Sequence, residues 1–276
     1  MSVVTKEFDA KRTIRLVDFL GPVGVFGLFV GLWYLAAYQL VPHNFAPNGT
    51  IILVPPPHRL WEDMGNQWPV IWRATLLTAK VSLLGLSLAF VIGVISAVTM
   101  SQARWIEKSF YPYLIALQAV PILAITPLIG NTFGTNFRSR ILVTIIIAIF
   151  PIVSNTLFGL TSVEQNQHDL LTLNGAGRFK RLFKLQFPAA MPSIFTGLGI
   201  SAGLSVIGAV VADFFFNRGD PGIGYRIVLY SRELKPGRMF VSSIMAIILG
   251  ISIFVFFEFL KKRVVGHWHT ATRTNN

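Results

Sequence analysis

The sequence predicts an all-α membrane protein with six transmembrane helices. Of its 276 residues, 53% are hydrophobic and only 13% are charged, whereas soluble domains carry about 25% charged residues. The apolar residues form runs of about 18 or more, the length that a helix needs to cross a bilayer. The chain has no cysteine, which excludes disulfides and thiolate metal sites.

The net charge is +12, and in a soluble protein such a charge would favour nucleic acid as a partner. Here much of the charge lies between the apolar runs, which indicates contact with anionic membrane lipid and no nucleic acid. The first apolar run continues well past about 15 residues without a small-residue cleavage site, so it is predicted to be a span and not a signal peptide.

The N-terminal quarter is predicted to contain one span and one external segment. Residues 1–18 are polar and basic and are predicted to be a cytoplasmic leader. Residues 19–74 contain the first span, about 19–41, which ends in an aromatic belt, and an extracytoplasmic segment that three consecutive prolines keep out of a helix. Near residues 59–65 we expect a short amphipathic helix at the outer interface.

Residues 75–263 are predicted to form the membrane core, with five further spans. The second, about 75–100, contains Gly85 and Gly93, and such small residues let another helix approach closely. The third, about 110–130, is predicted to be kinked or broken by proline, which a membrane tolerates only against protein or along a water-filled path. Its prolines are Pro112, Pro121 and Pro127.

The remaining spans are predicted at about 141–160, 194–215 and 240–260. The basic triplet Lys261-Lys262-Arg263 follows the sixth span, and residues 264–276 are predicted to be a cytoplasmic tail. Because the number of spans is even, both termini are expected on the same side, the cytoplasm.

A polar, basic segment, residues 164–192, separates the fourth and fifth apolar runs. Its mixture of cations and apolar residues predicts a short helix–turn–helix at the membrane surface with one face toward a partner. A simple cytoplasmic loop, held inside by its charge, would account for the cations as well. These are Arg178, Lys180, Arg181 and Lys184.

The spacing in this segment resembles the coupling loop of bacterial ABC importer permeases, whose pattern is E-A-A, three residues, Gly, nine residues, Ile-x-Leu-Pro. The register from the glycine to the proline is intact. Leu170 and Leu171 replace the two alanines and Asp replaces Glu, so the first three letters depart from the pattern. The matching positions are Asp169, Gly175, Leu185, Phe187 and Pro188.

Further motifs extend the resemblance to about residues 53–268. They are PPPHRLW, YLIALQAVPILAITPLIG, FPIVSNTLFGL, PAAMPSIFTGL and the Gly-x-Gly of Pro221-Gly222-Ile223-Gly224-Tyr225. Together they are similar to the permeases of nitrate, sulfonate, taurine and bicarbonate importers, a branch that includes uptake systems for thiamine precursors and riboflavin.

The resemblance implies the type I ABC importer permease architecture in the bacterial inner membrane. It also implies an importer for a small polar solute, with a second permease copy, most simply in a homodimer, and an extracytoplasmic substrate-binding protein. Two cytoplasmic subunits would bind ATP and magnesium. The chain itself has no G-x-x-x-x-G-K-[ST] motif, nucleophile–base pair or metal cluster, so no cofactor and no enzyme activity are predicted for it.

Within the loop, the apolar residues Leu170, Leu171 and Leu173 are expected to enter a groove of the ATPase. Gly175 is expected to set the turn in a backbone conformation closed to other residues, and Pro188 to end the second helix. The basic face around Arg178 would meet acidic ATPase residues or lipid headgroups, and both remain open.

Asp213 is the ionisable residue whose position in a span is most informative. A charge at mid-membrane costs about 2.5–3.5 kcal/mol, so it needs water, a partner or a helix end. The resemblance places an acid at this position, which favours a role in the path or gate, while a polar contact between helices remains open. The predicted path residues are Gln118, Pro121, Thr126, Asn155, Ser201 and Asp213.

A secondary transporter or channel that works alone is the alternative function. Secondary transporters commonly contain internal repeats, and none is visible in this chain, which favours the importer subunit. Basic residues around the Gly-x-Gly motif favour an anionic solute; they are Arg218, Arg226 and Arg232.

Overall fold

The computed structural model describes residues 20–41, 44, 53–216 and 218–265. These residues form two compact units. The first comprises the described residues up to Gln67 together with Tyr230–Val241, and the second comprises Trp68–Leu229 and the residues from Ser242 onward. The predicted leader, residues 1–18, and residues 266–276 of the predicted tail lie outside the described residues.

In the first unit, helix α1 (Leu20–Leu40) ends in a π-helical turn at Ala36–Leu40. Its aromatic residues bind the segment that follows. Trp33 donates its Nε1 proton to the carbonyl of Pro55 at 3.0 Å, and the ring of Tyr34 stacks on that of His58 with 5.8 Å between the ring centres.

Asn44 ties the same segment to the end of α1. Its buried side chain donates from Nδ2 to the carbonyls of Ala37 at 2.6 Å and Val54 at 2.8 Å. Its Oδ1 accepts from the backbone N–H groups of Leu53 and Val54. The side-chain amide of Asn44 thus pairs with backbone groups of α1 and of residues 53–54 that have no partner in a helix or sheet. Helix α2 (Leu60–Met64) follows between the 3₁₀ turns Pro57–Arg59 and Gly65–Gln67, which confirms a short helix at the predicted place.

The second unit is built on three long helices. They are α3 (Trp68–Ser101), α6 (Phe137–Thr161) and α9 (Phe187–Phe215). Their shared core contains Leu86 and Ala89 of α3, Ala148 and Ile152 of α6, and Leu198, Ala202 and Val206 of α9. Helices α10 (Ile223–Arg232) and α11 (Pro236–Val265) contribute residues to both units.

Glycines bring α3 and α6 together, as predicted. A Cβ at Gly85 would collide with the side chain of Thr144, and one at Gly93 would lie 2.8 Å from Cγ2 of Ile152. Lipid gives apolar helices no hydrophobic reason to associate, so this close contact of the α3 backbone with side chains of α6 supplies packing energy.

Helix α3 begins before the predicted second span. The sequence predicts a start near Thr75, after Arg73, but the helix starts at Trp68. Pro69 is tolerated in the first turn, where no backbone partner is required, and Arg73 near the end of a span can extend its charge toward the interface.

The predicted third span is two helices, α4 (Arg104–Ala119) and α5 (Ile122–Phe133), which differ in direction by 99°. Pro121 precedes α5 as its N-cap, and Val120 before it is extended, as a residue preceding proline prefers. Among the described residues, five other helices are long and apolar enough to cross a membrane, and there are six when the bent pair is taken as one span. The all-α fold and a break in the third span are thus confirmed.

Candidate functional site

The segment between α6 and α9 is a helix–turn–helix, as its composition predicts. Helix α7 (Gln165–Leu173) and the short α8 (Arg178–Arg181) enclose the turn 174–177. Gly175 has φ 68°, which confirms the left-handed conformation expected there. The N–H of Gly175 donates to the carbonyl of Thr172, and that of Ala176 to the carbonyl of Leu171, both at 2.9 Å. This is the Schellman pattern that satisfies the last carbonyls of a helix.

The two glycines of the turn differ in what they require. A side chain at Gly175 or at Gly177 would have no atom within 4 Å, so neither is needed for space. Gly177 is the N-cap of α8, with φ −64° and ψ 171°, a conformation open to every residue. Only Gly175 therefore needs to be glycine, and only for its backbone.

Large apolar side chains of the segment are exposed. Leu170 and Leu173 lie three residues apart on α7, and Phe179 and Phe183 lie four apart, so each pair shares a helix face. The exposed fractions reach 85% for Leu173 and 78% for Phe179. We call these four residues the apolar set. Leu171 is half-buried.

The polar residues of the loop lie beside the end of α3. A cavity of about 300 Å³ is lined there by Ser101, Gln102, Gln165, His168, Arg178, Arg181 and Gln186. Arg181 donates from Nη1 to the hydroxyl of Thr172 at 2.9 Å, which links α8 to α7. Asp169 is exposed, and its carboxylate accepts from the amide of Gln165 at 3.0 Å.

Pro188 does not end the second helix of the loop, so that prediction is wrong. Helix α8 passes through a π turn, Leu182–Gln186, into α9, and Pro188 lies in the first turn of α9. Arg178–Phe215 is thus one helical span of 38 residues. The N–H of Phe187 donates to the carbonyl of Leu182, five residues back, and this wider turn gives room to a proline that lacks an N–H.

The two other motif positions near Pro188 face inward. Leu185 and Phe187 are half-buried. Phe187 packs against the buried cluster of Leu160, Leu182, Ala190 and Ile194, which joins the start of α9 to the end of α6. The motif therefore combines an exposed part on α7 and α8 with a part that fixes the helix entering the membrane.

Near the other end of α9, Asp213 forms a buried ion pair with Arg140 of α6. Asp213 Oδ1 lies 3.4 Å from Arg140 Nη1, and the two side chains are 0% and 1% exposed. The hydroxyl of Thr78 on α3 donates to Asp213 Oδ2 at 2.6 Å and accepts from the N–H of Ile223 at 2.8 Å. Three helices and the start of α10 thus meet at one carboxylate.

Arg140 also fixes the chain that leaves α9. It donates from Nη2 to the carbonyl of Phe216 at 2.8 Å and from Nη1 to that of Asp220 at 3.0 Å. Arg140 was not among the predicted site residues because the predicted fourth span begins one residue later, and Thr78 was not among them either. An arginine and an aspartate at the ends of two apolar runs would have been the signal for a buried pair.

The Gly-x-Gly motif packs directly on Asp213. A Cβ at Gly222 would overlap the carboxylate, and one at Gly224 would overlap the carbonyl of Val210 and lie 2.8 Å from Asp213 Cβ. Both glycines are required because the start of α10 lies against the backbone of α9.

The other predicted path residues lie on or beside four different helices, α4, α5, α6 and α9. Thr126 and Ser201 are buried and donate to the carbonyls of Ile122 and Ala148, so Ser201 makes a contact between helices. Asn155 is half-buried and donates to the carbonyl of Pro151. Gln118 and Pro121 are exposed beside the bend between α4 and α5. No group of three or more His, Cys, Asp or Glu among the described residues is placed to hold a metal ion.

Comparison with known proteins finds matches over most of the chain. The family model described as "Binding-protein-dependent transport system inner membrane component" matches residues 89–266. The chain is 26% identical over 250 residues to a probable ABC transporter permease protein of Haemophilus influenzae, covering 90% of this chain and 98% of that one. It is 30% identical over 213 residues to the riboflavin transport system permease protein RibX of Chloroflexus aurantiacus, covering 77% and 78%.

One solved structure shares the fold over almost the whole chain. It is the crystal structure of a bacterial ABC transporter involved in the import of the acidic polysaccharide alginate. The match has a TM-score of 0.62 and covers 94% of this chain and 99% of that one, at 14% sequence identity. At that identity the likeness concerns the fold alone.

Proposed function

The chain belongs to the family of binding-protein-dependent transport system inner membrane components, and we propose that it forms the translocation pathway of an ATP-driven importer for a small polar solute. It is a multi-pass protein of the inner membrane and a permease component of the ABC importer family, whose members are transport proteins and not enzymes. In the proposed cycle, a substrate-binding protein delivers the solute outside, and ATPase subunits that bind ATP and magnesium drive the transport from the cytoplasm.

The observation that carries the proposal is the exposure of the apolar set on the helix–turn–helix. The leucine and phenylalanine side chains of the set are exposed, and no residue of α7 is buried in this chain. Such a cluster of exposed apolar side chains is typical of a surface that a partner covers. The register of Gly175 and Pro188 supports an ATPase subunit as that partner. Leu170 and Leu173 would enter its groove, and Arg178 on α8 would meet acidic groups at the rim.

The continuous helix explains how a movement of the loop reaches the membrane. Arg178–Phe215 contains 38 residues, which corresponds to roughly 57 Å at 1.5 Å per residue. Displacement of α8 therefore moves the far end of the same rod, where Asp213 binds α3 and α6 through Thr78 and Arg140. In this role Asp213 acts on the gate as the joint between helices, and direct contact with the solute is not required.

The proposed assembly contains two copies of this chain. Each copy offers one loop, so two ATPase subunits need two copies of it. We expect two differently tagged copies, expressed together with the ATPase, to purify with each other. A transport-active complex with a single copy would contradict the homodimer.

The docking role is tested by placing a charge on the apolar set. Leu173→Glu adds a carboxylate to a side chain that is 85% exposed, so the fold has no reason to change. We expect the protein to enter the membrane normally and to lose the ATPase during purification. Leu234→Glu is the matched control, because Leu234 is 82% exposed but lies outside the loop. Equal ATPase recovery in both variants would contradict docking through Leu173.

The alternative, a transporter or channel that works alone, is tested in liposomes. The purified chain without ATPase should not move solute in response to a gradient, whereas the complete complex should import it with ATP. Uptake by the isolated chain would favour the alternative.

A further inference from the structure

A second cavity lies at the end of α3 that is away from the loop. It has a volume of about 510 Å³ and is lined by Arg73 and Lys80 of α3, by Asp220 and Pro221, by Arg226 of α10 and by neighbouring apolar residues of α3. Lys80 precedes Ser101, beside the loop, by 21 residues of the same helix, which corresponds to roughly 30 Å. The size is that of a small-molecule site.

The charges around this cavity do not balance. Three of its lining residues are cations and one is a carboxylate. Among the described residues, none of the three cations has a carboxylate within ion-pair distance, since the pairs found there involve Asp213, Glu233 and Glu258. Lys80 lies 5.6 Å from the ring centre of Phe137, a contact that does not neutralise its charge.

Arg226 adds an unsatisfied donor. Its Nε atom is buried and has no hydrogen-bond partner among the described residues, and a buried donor left unpaired is unfavourable. Lys80 is the twelfth residue after the start of an apolar, 34-residue helix, where a cation needs water, a partner or a ligand. Both features are resolved by one anion in the cavity.

We propose that this cavity binds an oxyanion group, such as a sulfonate, sulfate or phosphate, through Arg73, Lys80 and Arg226. Guanidinium groups donate in pairs to such oxygens, and lysine adds a compact charge. Arg73 and Lys80 are seven residues apart, or about two turns, so both extend from one face of α3. Asp220 supplies a negative charge at the same cavity, which leaves a net attraction for one anion.

The inference rests on the proposed function in one respect, the assignment of the cavity to a side of the membrane. If the loop is cytoplasmic, the cavity belongs to the extracytoplasmic half, where a solute arrives. An oxyanion there has two sources, a free solute entering the path or the phosphate of an outer-leaflet phospholipid. The chemistry of recognition is the same for both, and the experiment separates them.

The full chain is reconstituted in nanodiscs of phosphatidylcholine, and binding of radiolabelled sulfate is measured by equilibrium dialysis at constant chloride. We expect saturable binding for a free anion, weakened roughly tenfold or more in Lys80→Gln and Arg226→Gln, since hydrogen bonds to charged groups are strong. Lys80→Arg should retain binding. Arg138→Gln removes an exposed cation outside the cavity and should change nothing.

A second arm measures phosphatidylglycerol that remains bound through purification, by native mass spectrometry. Lipid retained by the wild type and lost in Lys80→Gln, without sulfate binding, assigns the site to a phospholipid. Equal sulfate binding and equal lipid retention in all variants would overturn the inference. Arg73, Lys80 and Arg226 would then extend to the membrane interface without binding an anion.

Association with the ATPase is measured on the same preparations. Protein that fails both arms but binds its ATPase overturns the cavity inference alone. Wild-type protein that binds sulfate but no ATPase overturns the proposed function and leaves the anion site in place.

Discussion

Replacing Gly175 with serine tests whether the left-handed backbone at this turn is needed for the function proposed for the loop. With φ 68°, Gly175 occupies the left-handed region, and nothing lies within 4 Å of a side chain added there. Gly177, two residues later, has the same open surroundings but an extended backbone. Gly175→Ser and Gly177→Ser therefore add the same atoms to the same turn, one at a left-handed position and the other at an extended N-cap position.

The expected difference follows from the left-handed conformation. For an ordinary L-residue it costs about 1–2 kcal/mol, while serine at the N-cap position of Gly177 is at least as favourable as glycine. A cost of about 1–2 kcal/mol changes an equilibrium by a factor of about 5–30. Asparagine tolerates the left-handed region better than most residues, so Gly175→Asn should lie between the wild type and Gly175→Ser.

Two measurements distinguish the closure of the turn from its proposed role in ATPase binding. Hydrogen exchange of Ala176, whose N–H donates to the carbonyl of Leu171, reports whether the turn stays closed. The dissociation constant for the ATPase reports whether the apolar set is still presented. We expect faster exchange and about 5–30-fold weaker ATPase binding in Gly175→Ser, with both unchanged in Gly177→Ser. Membrane insertion should be normal in all variants.

Either of two results would refute the reasoning. Equal exchange in the two serine variants would mean that the left-handed backbone does not limit the turn. Faster exchange in Gly175→Ser with unchanged ATPase affinity would mean that the turn is real but does not present the docking surface.

Three further predictions concern the buried contacts. Asp213→Asn leaves the guanidinium of Arg140 buried without its counter-charge and should destabilise the protein by about 3–5 kcal/mol in a thermal unfolding assay. Adding Arg140→Met removes the unpaired charge but also the hydrogen bonds to the carbonyls of Phe216 and Asp220, so it should recover only part of the loss. An Asp213→Asn variant as stable as the wild type would contradict a stabilising ion pair. Gly224→Ala should lower thermal stability by about 1–3 kcal/mol through overpacking, whereas Gly203→Ala, with open space around it, should not. Asn44→Ala should leave buried backbone groups without a partner and destabilise the first unit by about 1–3 kcal/mol. Limited proteolysis should then cleave the first unit faster than in the wild type. Equal cleavage rates would show that Asn44 does not stabilise this unit.

The helices could be predicted from the sequence because their signals are local. Runs of apolar residues predict spans, and Pro121 predicts the break between α4 and α5 through its effect on the residue before it. The turn at Gly175 is equally local, since one left-handed glycine closes α7 whatever surrounds it. These features needed no knowledge of which helices are neighbours.

The network around Asp213 could not be predicted in the same way. Its hydroxyl partner, Thr78, is 135 residues away in sequence, and Arg140 belongs to a third helix. A single sequence gives no register between α3, α6 and α9, so it shows that Asp213 needs a partner but not which one. The same limit applies to Ser201, whose contact with the carbonyl of Ala148 depends on how two apolar helices align.

Two of the features that could not be predicted lie toward opposite ends of one helical span, Arg178–Phe215. At one end Pro188 follows a π turn, a rare conformation that is frequent at functional sites. At the other, Asp213 and Arg140 form an ion pair that is expensive to bury. A stable membrane bundle needs neither feature. In the proposed cycle the helical span carries movement from the loop into the membrane, and the buried ion pair would keep its far end from moving independently of α3 and α6. Because the Asp213–Arg140 pair links this end of α9 to α6, we expect the complex that carries Asp213→Asn to hydrolyse ATP without solute uptake. This should hold even under stabilising conditions in which the complex remains intact.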